Sequence, residues 1–174
     1  MPTEGGHRGF APRTEQQDRL LRRLRREHGR VSTERVLSGP GLVALHAFLV
    51  EDEGLPRSPE VDAAPPAGRA PVISRRGLTG DDPACAAALA LFVDIYGAEA
   101  GDLALSVVAA GGVWVAGGIA PDLLVVPAHA AAFRRAFEDK GRFAAFLREV
   151  PVRVVTSPDL GLLGAALESW PPTA

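Results

Sequence analysis

A carboxylate and an imidazole stand on a glycine-rich backbone at Glu4-Gly5-Gly6-His7. A second carboxylate, Glu34, opens the run Glu34-Arg35-Val36-Leu37-Ser38-Gly39-Pro40-Gly41. These residue types suit a polyol. Ionised Glu oxygens accept hydrogen bonds from neighbouring hydroxyls, an imidazole donates or accepts, and glycine lets the backbone come close. Together they read as one wall of a sugar-binding site. Each also has a plainer local reading: Glu4 and His7 as ordinary residues of a chain end, and Glu34 as a first-turn carboxylate favoured by the helix dipole. His46 and His129 match no chemistry and read as surface or helix-packing residues.

The elements that must position these groups are mostly helical. Thr14 with Gln17 fits a capping box for a helix reaching His28, with Leu20, Leu21 and Leu24 on one side and Gly29 as its stop. Ser32 can cap a short helix carrying Glu34, which Ser38-Gly39-Pro40-Gly41 breaks. Another helix follows through Leu42, Leu45, Leu49 and Val50 to Gly54. Residues 55–71 hold Pro56, Pro59, Pro65, Pro66 and Pro71, a density that predicts an exposed, mobile loop. Asp81 or Asp82, with Pro83 next, starts a long apolar helix. From Ala86 to Tyr96 only Asp94 is charged, which predicts a central buried element, with a bend at Gly97 and Gly101. Gly112–Ala116 predicts a short buried strand ended by Gly117-Gly118. A helix over about Ala128–Phe137, a turn at Asp139-Lys140-Gly141, a shorter helix, a second strand at Val152–Val155 and a last helix at Leu160–Leu167 complete the chain.

The fold class this predicts is α/β: one domain over residues 1–174, helix-rich, with a small mixed sheet. Two convincing strands are few for a self-sufficient sheet, so the lobe is expected to complete it with strands from elsewhere. With 47% hydrophobic residues the chain can build one core. A net charge of −2 gives no reason to expect nucleic acid or an anionic membrane as partner. In the first predicted helix the arginines are interleaved with Glu15, Asp18 and Glu27, which reads as a solvated face. Cys85 is the single cysteine, so an intrachain disulfide and a Cys-based metal cluster are excluded, and a reducing cytoplasm is expected. No charge falls between Leu103 and Pro121, but Gly111, Gly112, Gly117 and Gly118 make that run a helix end followed by a strand, not a membrane span. Lys140 is the only lysine and there is no asparagine.

Taken in order, several stretches resemble the second half of bacterial glucokinases: Glu4-Gly-Gly-His7, Phe10-Ala-Pro12, Glu34-Arg-Val-Leu-Ser-Gly-Pro-Gly-Leu42, Gly111-Gly-Val-Trp-Val-Ala-Gly-Gly-Ile-Ala-Pro121, Phe133–Phe143 and Asp159–Ala166. The resemblance covers nearly the whole chain and is weakest in the proline-rich segment. It implies a lobe of the ribonuclease H-like, actin-like fold, incomplete relative to the family. It also implies an ATP- and Mg2+-dependent kinase acting on the 6-hydroxyl of glucose. By the resemblance Glu4, His7 and Glu34 hold sugar hydroxyls, while Gly117 and Gly118 approach the adenosine, where a side chain would block a flat base.

The family's Asp-x-Gly-Gly-Thr hairpin, its Asn-Asp pair carrying the general base and its Gly-Thr-Gly phosphate loop do not occur here. No residue is therefore assigned a catalytic role and none a metal. The chain is expected to be inactive alone, completed by a separate N-terminal half or a homo-oligomer, and to associate through apolar surface left uncovered. A non-catalytic sugar-binding or interaction module, and a kinase portion for another hexose, are the alternatives. Thr3 stands where relatives carry Gly, and Ala109-Ala110 where they carry Thr and an aromatic residue, which weakens the ATP inference more than the sugar one.

Overall fold

A computed structural model of the chain describes residues 4–169; Thr3 lies outside them. Helix α1 (Glu15–His28) begins where Thr14 Oγ1 accepts the Gln17 N–H at 3.2 Å, and Gly29, at φ 67°, ends it. Gln17 Oε1 accepts the Arg13 N–H at 2.9 Å, so the returning half of the expected capping box sits one residue earlier. Leu20, Leu21 and Leu24 are buried, as their spacing predicts.

Helix α2 (Gly39–Glu51) corrects one expectation, because Ser38–Gly41 starts a helix as well as ending the turn before it. Ser38 Oγ accepts the Gly41 N–H at 3.0 Å, and Pro40 sits in the first turn, where its missing N–H is no loss. Gly41 is required by packing: a Cβ there would lie 2.6 Å from the Val36 carbonyl carbon.

Residues 55–71 are not a structureless loop. They hold helix α3 (Pro59–Ala63), a 3-10 turn at Pro66–Gly68 and the start of helix α4 (Arg69–Thr79). Pro59 and Pro66 occupy first-turn positions, so proline density marks helix starts here instead of excluding helices. Val61 of α3 is buried.

Helix α5 (Pro83–Ser106) is the centre of the molecule, capped by Asp82 and continuous through Gly97 and Gly101, where a bend was expected. Those glycines are small because helix α7 (Pro127–Glu138) crosses there. A Cβ on Gly97 would meet the Phe133 carbonyl oxygen at 2.2 Å, and one on Gly101 the Phe137 oxygen at 2.4 Å. Helices α2, α4 and α7 all pack on α5, which is therefore covered within this chain, contrary to expectation. Asp94, the isolated charge of its apolar stretch, accepts from Arg13 Nη2 at 2.8 Å and Gln17 Nε2 at 2.7 Å, tying α1 to α5. By length and composition α5 is long and apolar enough to cross a membrane, but 67% of its most apolar window is buried inside the protein.

Strands β1 (Val113–Val115) and β2 (Val152–Val154) pair in parallel with Val113 opposite Val152, so among the described residues the sheet is parallel, not mixed. The connection carries helices α6 (Ala120–Leu124), α7 and α8 (Ala144–Glu149). Arg134 of α7 caps the end of α8 by donating to the carbonyls of Leu147, Arg148 and Val150. Strand β1 is buried on one face only. Val115 is inside, while Trp114 is 66% exposed, with the Arg153 guanidinium 5.2 Å over its ring. Helix α9 (Leu160–Ser169) has no buried residue.

Candidate functional site

The segment after Glu4 folds as a 3-10 turn (Gly5–His7) and then pairs with the chain beyond α1. Phe10 N–H donates to the Val31 oxygen at 3.1 Å, Thr33 N–H to the Arg8 oxygen at 2.8 Å, and Gly9 and Ser32 form an antiparallel bridge. This stitching sets the turn of His7 beside the 3-10 turn Thr33–Arg35, which carries Glu34. His7 Nδ1 and Glu34 Oε2 lie 3.4 Å apart, with both side chains more than half exposed and thus open to a ligand. Of the three residues whose types suggest a polyol site, His7 and Glu34 are brought together.

They line a cavity of about 430 Å³ shared with His28, Ser32, Ser38 and Pro40. That volume is ample for a small ligand. Ser38 Oγ is fixed at its edge, donating to the Glu34 carbonyl at 2.8 Å while capping α2. Glu4 is exposed and caps the His7 turn, its carbonyl accepting the His7 N–H at 2.9 Å, but its side chain is not part of the cavity wall. His28, from the last turn of α1, is a wall residue that the sequence reading missed. Only the packing of α1 against the turn brings it in, and no motif spacing records that.

Gly117 and Gly118 follow β1. Gly117 has φ 116°, which a residue with a Cβ adopts only with strain. Gly118 lines a second cavity of about 710 Å³ together with Gly39, Pro40, Ala70, Pro71 and Asp122, among others. Among the described residues a Cβ on Gly118 would meet nothing within 4 Å, so none of them demands glycine there. Pro40 belongs to both cavities, and the first turn of α2 is the wall between them.

The larger cavity is mostly apolar and, among the described residues, is lined by no Lys or Arg, with Asp122 its one carboxylate. These residues fit the flat adenosine end of a nucleotide. They do not fit its polyphosphate–Mg2+ end, which calls for cationic or N–H-rich walls.

A glucokinase family model matches residues 1–169. Among curated proteins, the chain is 47% identical to a glucokinase of Yersinia enterocolitica over 165 residues, covering 95% of this chain and 48% of that protein. It is also 47% identical to a glucokinase of Yersinia pestis, covering 93% of this chain and 47% of that one. Among solved structures, a glucokinase from an Antarctic psychrotroph is similar with a TM-score of 0.78 at 36% identity, covering 94% of this chain and 48% of that one. A Balamuthia mandrillaris glucokinase in complex with glucose shares the fold, with a TM-score of 0.71 at 20% identity, over 91% of this chain and 44% of that one. The chain spans about half the length of the curated relatives it matches. On the extent of these matches, the chain belongs to the glucokinase family.

Proposed function

We propose that this chain supplies the sugar-holding and adenosine-side walls of an ATP-dependent kinase that phosphorylates glucose at its 6-hydroxyl, giving glucose 6-phosphate. The observation that carries this reading is the approach of His7 and Glu34 to 3.4 Å at the mouth of one cavity, wall to wall with a second cavity edged by Gly118. Glu34 accepts hydrogen bonds from sugar hydroxyls, and His7, paired to Glu34, orients the ring. Adenosine lies against Gly117-Gly118. Membership in a family with a glucose-bound relative supports glucose as the sugar. We read the helix-rich α/β architecture as one lobe of a ribonuclease H-like, actin-like fold.

None of the chain's own site residues removes the proton of the 6-hydroxyl. The 174 residues contain neither asparagine nor an Asp-x-Gly-Gly-Thr hairpin, so an Asn-Asp base pair and the family's phosphate grip are not formed from them. Phosphoryl transfer rests on in-line placement and electrostatic stabilisation of the phosphates. The chain by itself therefore does not turn over, and a complementary half supplies the base, the phosphate loops and the Mg2+ contacts. The lone unpaired thiol suits a reducing cytoplasm.

A coupled assay for ADP tests this. The isolated chain should consume no ATP in a glucose-dependent manner, and adding the N-terminal half of a relative should restore consumption. Glucose-dependent turnover by the chain alone would contradict the assignment of the base to another segment.

A further inference from the structure

Helix α2 meets the start of α5 at a group of side chains that neither candidate cavity uses. His46, Asp82 and Cys85 are all buried, and one imidazole nitrogen, one carboxylate oxygen and the thiol sulfur all lie within 4.8 Å of one another. His46 is on the inward face of α2, while Asp82 and Cys85 occupy the N-cap and first turn of α5. The cap bond, Cys85 N–H to Asp82 Oδ1 at 2.9 Å, holds the two α5 residues in fixed relation.

The group is poorly balanced as it stands. His46 Nε2 is buried with no hydrogen-bond partner among the described residues. Asp82 is a buried carboxylate held by hydrogen bonds, from the Cys85 N–H among others, and not by a cation, although buried charges are ordinarily paired or bound to metal. Ser58, also buried, places a hydroxyl nearby that has no well-directed partner of its own. These are metal-ligand types gathered at one point: the Asp82 carboxylate accepts from Cys85, while the His46 nitrogen beside it has no partner among the described residues.

We propose that His46, Asp82 and Cys85 form a binding site for a divalent transition-metal ion of the zinc class, bridging α2 and α5. A nitrogen, oxygen and sulfur donor set suits Zn2+ or Co2+, whereas Mg2+ and Ca2+ take oxygen donors. Three protein ligands leave a fourth tetrahedral position for Ser58 or a solvent molecule. On binding, the Cys85 S–H bond is replaced by a sulfur–metal bond and the proton passes to solvent. One thiolate, one carboxylate and a neutral imidazole then cancel the 2+ charge, so no net charge is buried. In the metal-free chain, burial and next the Asp82 carboxylate push the thiol up to about 12, so Cys85 is no nucleophile there. A cavity of about 120 Å³ beside His46 and Ser58, rimmed by the Arg57–Asp62 ion pair, provides the way in.

Cobalt substitution tests the site, since Cys85 is the only cysteine and any cobalt–thiolate band must come from it. Titrating the chain with Co2+ should produce a near-ultraviolet thiolate charge-transfer band that saturates at one ion per chain. Cys85→Ala should abolish it. His46→Gln and Asp82→Asn, the latter keeping a capping side chain, should weaken binding tenfold or more. Stoichiometric Zn2+ should displace the band and raise the melting temperature of the unsubstituted chain, a readout that needs no variant to fold. No band at millimolar Co2+, a midpoint unchanged in both His46→Gln and Asp82→Asn, or Zn2+ that alters neither band nor melting would each overturn the proposal.

Discussion

At the scale of single residues, glycine does two different jobs here, and substitution separates them. Gly97 is held by packing, so Gly97→Ala should lower stability by roughly 1–3 kcal/mol in denaturant melts. That sign opposes the gain of up to about 1 kcal/mol that alanine brings to an ordinary helix interior. Gly118 faces open space, so Gly118→Ala should change stability by less than about 0.5 kcal/mol while weakening nucleotide binding once the chain is combined with the N-terminal half of a relative. A Gly97→Ala variant that melts no earlier would contradict the close crossing of α5 and α7. Glu4, His7 and Glu34 were legible as candidate ligand residues because their motifs are. The convergence of His7 and Glu34 was not, since it depends on the backbone bonds between residues 8–10 and 31–33. His46 was unreadable for a similar reason: its partners Asp82 and Cys85 are adjacent only after α2 docks on α5.

At the scale of elements, ion pairs fasten α1 along the end of α2. Arg19 donates two hydrogen bonds to Glu53, at 2.7 and 2.9 Å, and Arg23 pairs with Glu51 and Asp52. The hydrogen bond from Arg19 holds the Glu53 carboxyl below its ordinary value. A depressed folded value means that this stabilisation is present above the unfolded Glu value, near pH 4.3, and is lost as pH falls through the folded one. The stability difference between the unsubstituted chain and Glu53→Gln should therefore be largest near neutrality and close below about pH 4.3. A difference that stays constant down to pH 3 would place the stabilisation elsewhere. Helix existence was readable at this scale for α1, α5 and α7, whose periodicity or caps are strong. Two signals were ambiguous because a second element decides their meaning. The prolines of 55–71 read as breakers until their places in the first turns of α3 and the 3-10 helix are known. Gly97 and Gly101 read as a bend until α7 is seen to need their space.

At the scale of the whole molecule, the core around α5 is closed, while the sheet end and the C-terminal helix are not. Leu162 and Leu167 of α9 are 72% and 76% exposed, and Trp114 of β1 stands in solvent. Exposed apolar side chains of this kind favour association. Leu162→Glu with Leu167→Glu should leave the melting of the chain unchanged, because α9 contributes nothing to its core, yet reduce self-association in sedimentation. A large fall in melting temperature would show that α9 packs on this chain after all. The closed core and open edge match a lobe that spans about half of its relatives, and they make the division of labour testable. The most direct test is calorimetric titration of glucose into the chain completed by the N-terminal half of a related glucokinase. Glu34→Gln, which removes a charged acceptor but keeps its shape, should weaken glucose binding about tenfold or more, with His7→Ala weakening it too and the double variant falling short of the sum. Glucose affinity unchanged in Glu34→Gln would contradict the account, because the paired His7 and Glu34 would then not be the wall that holds the sugar.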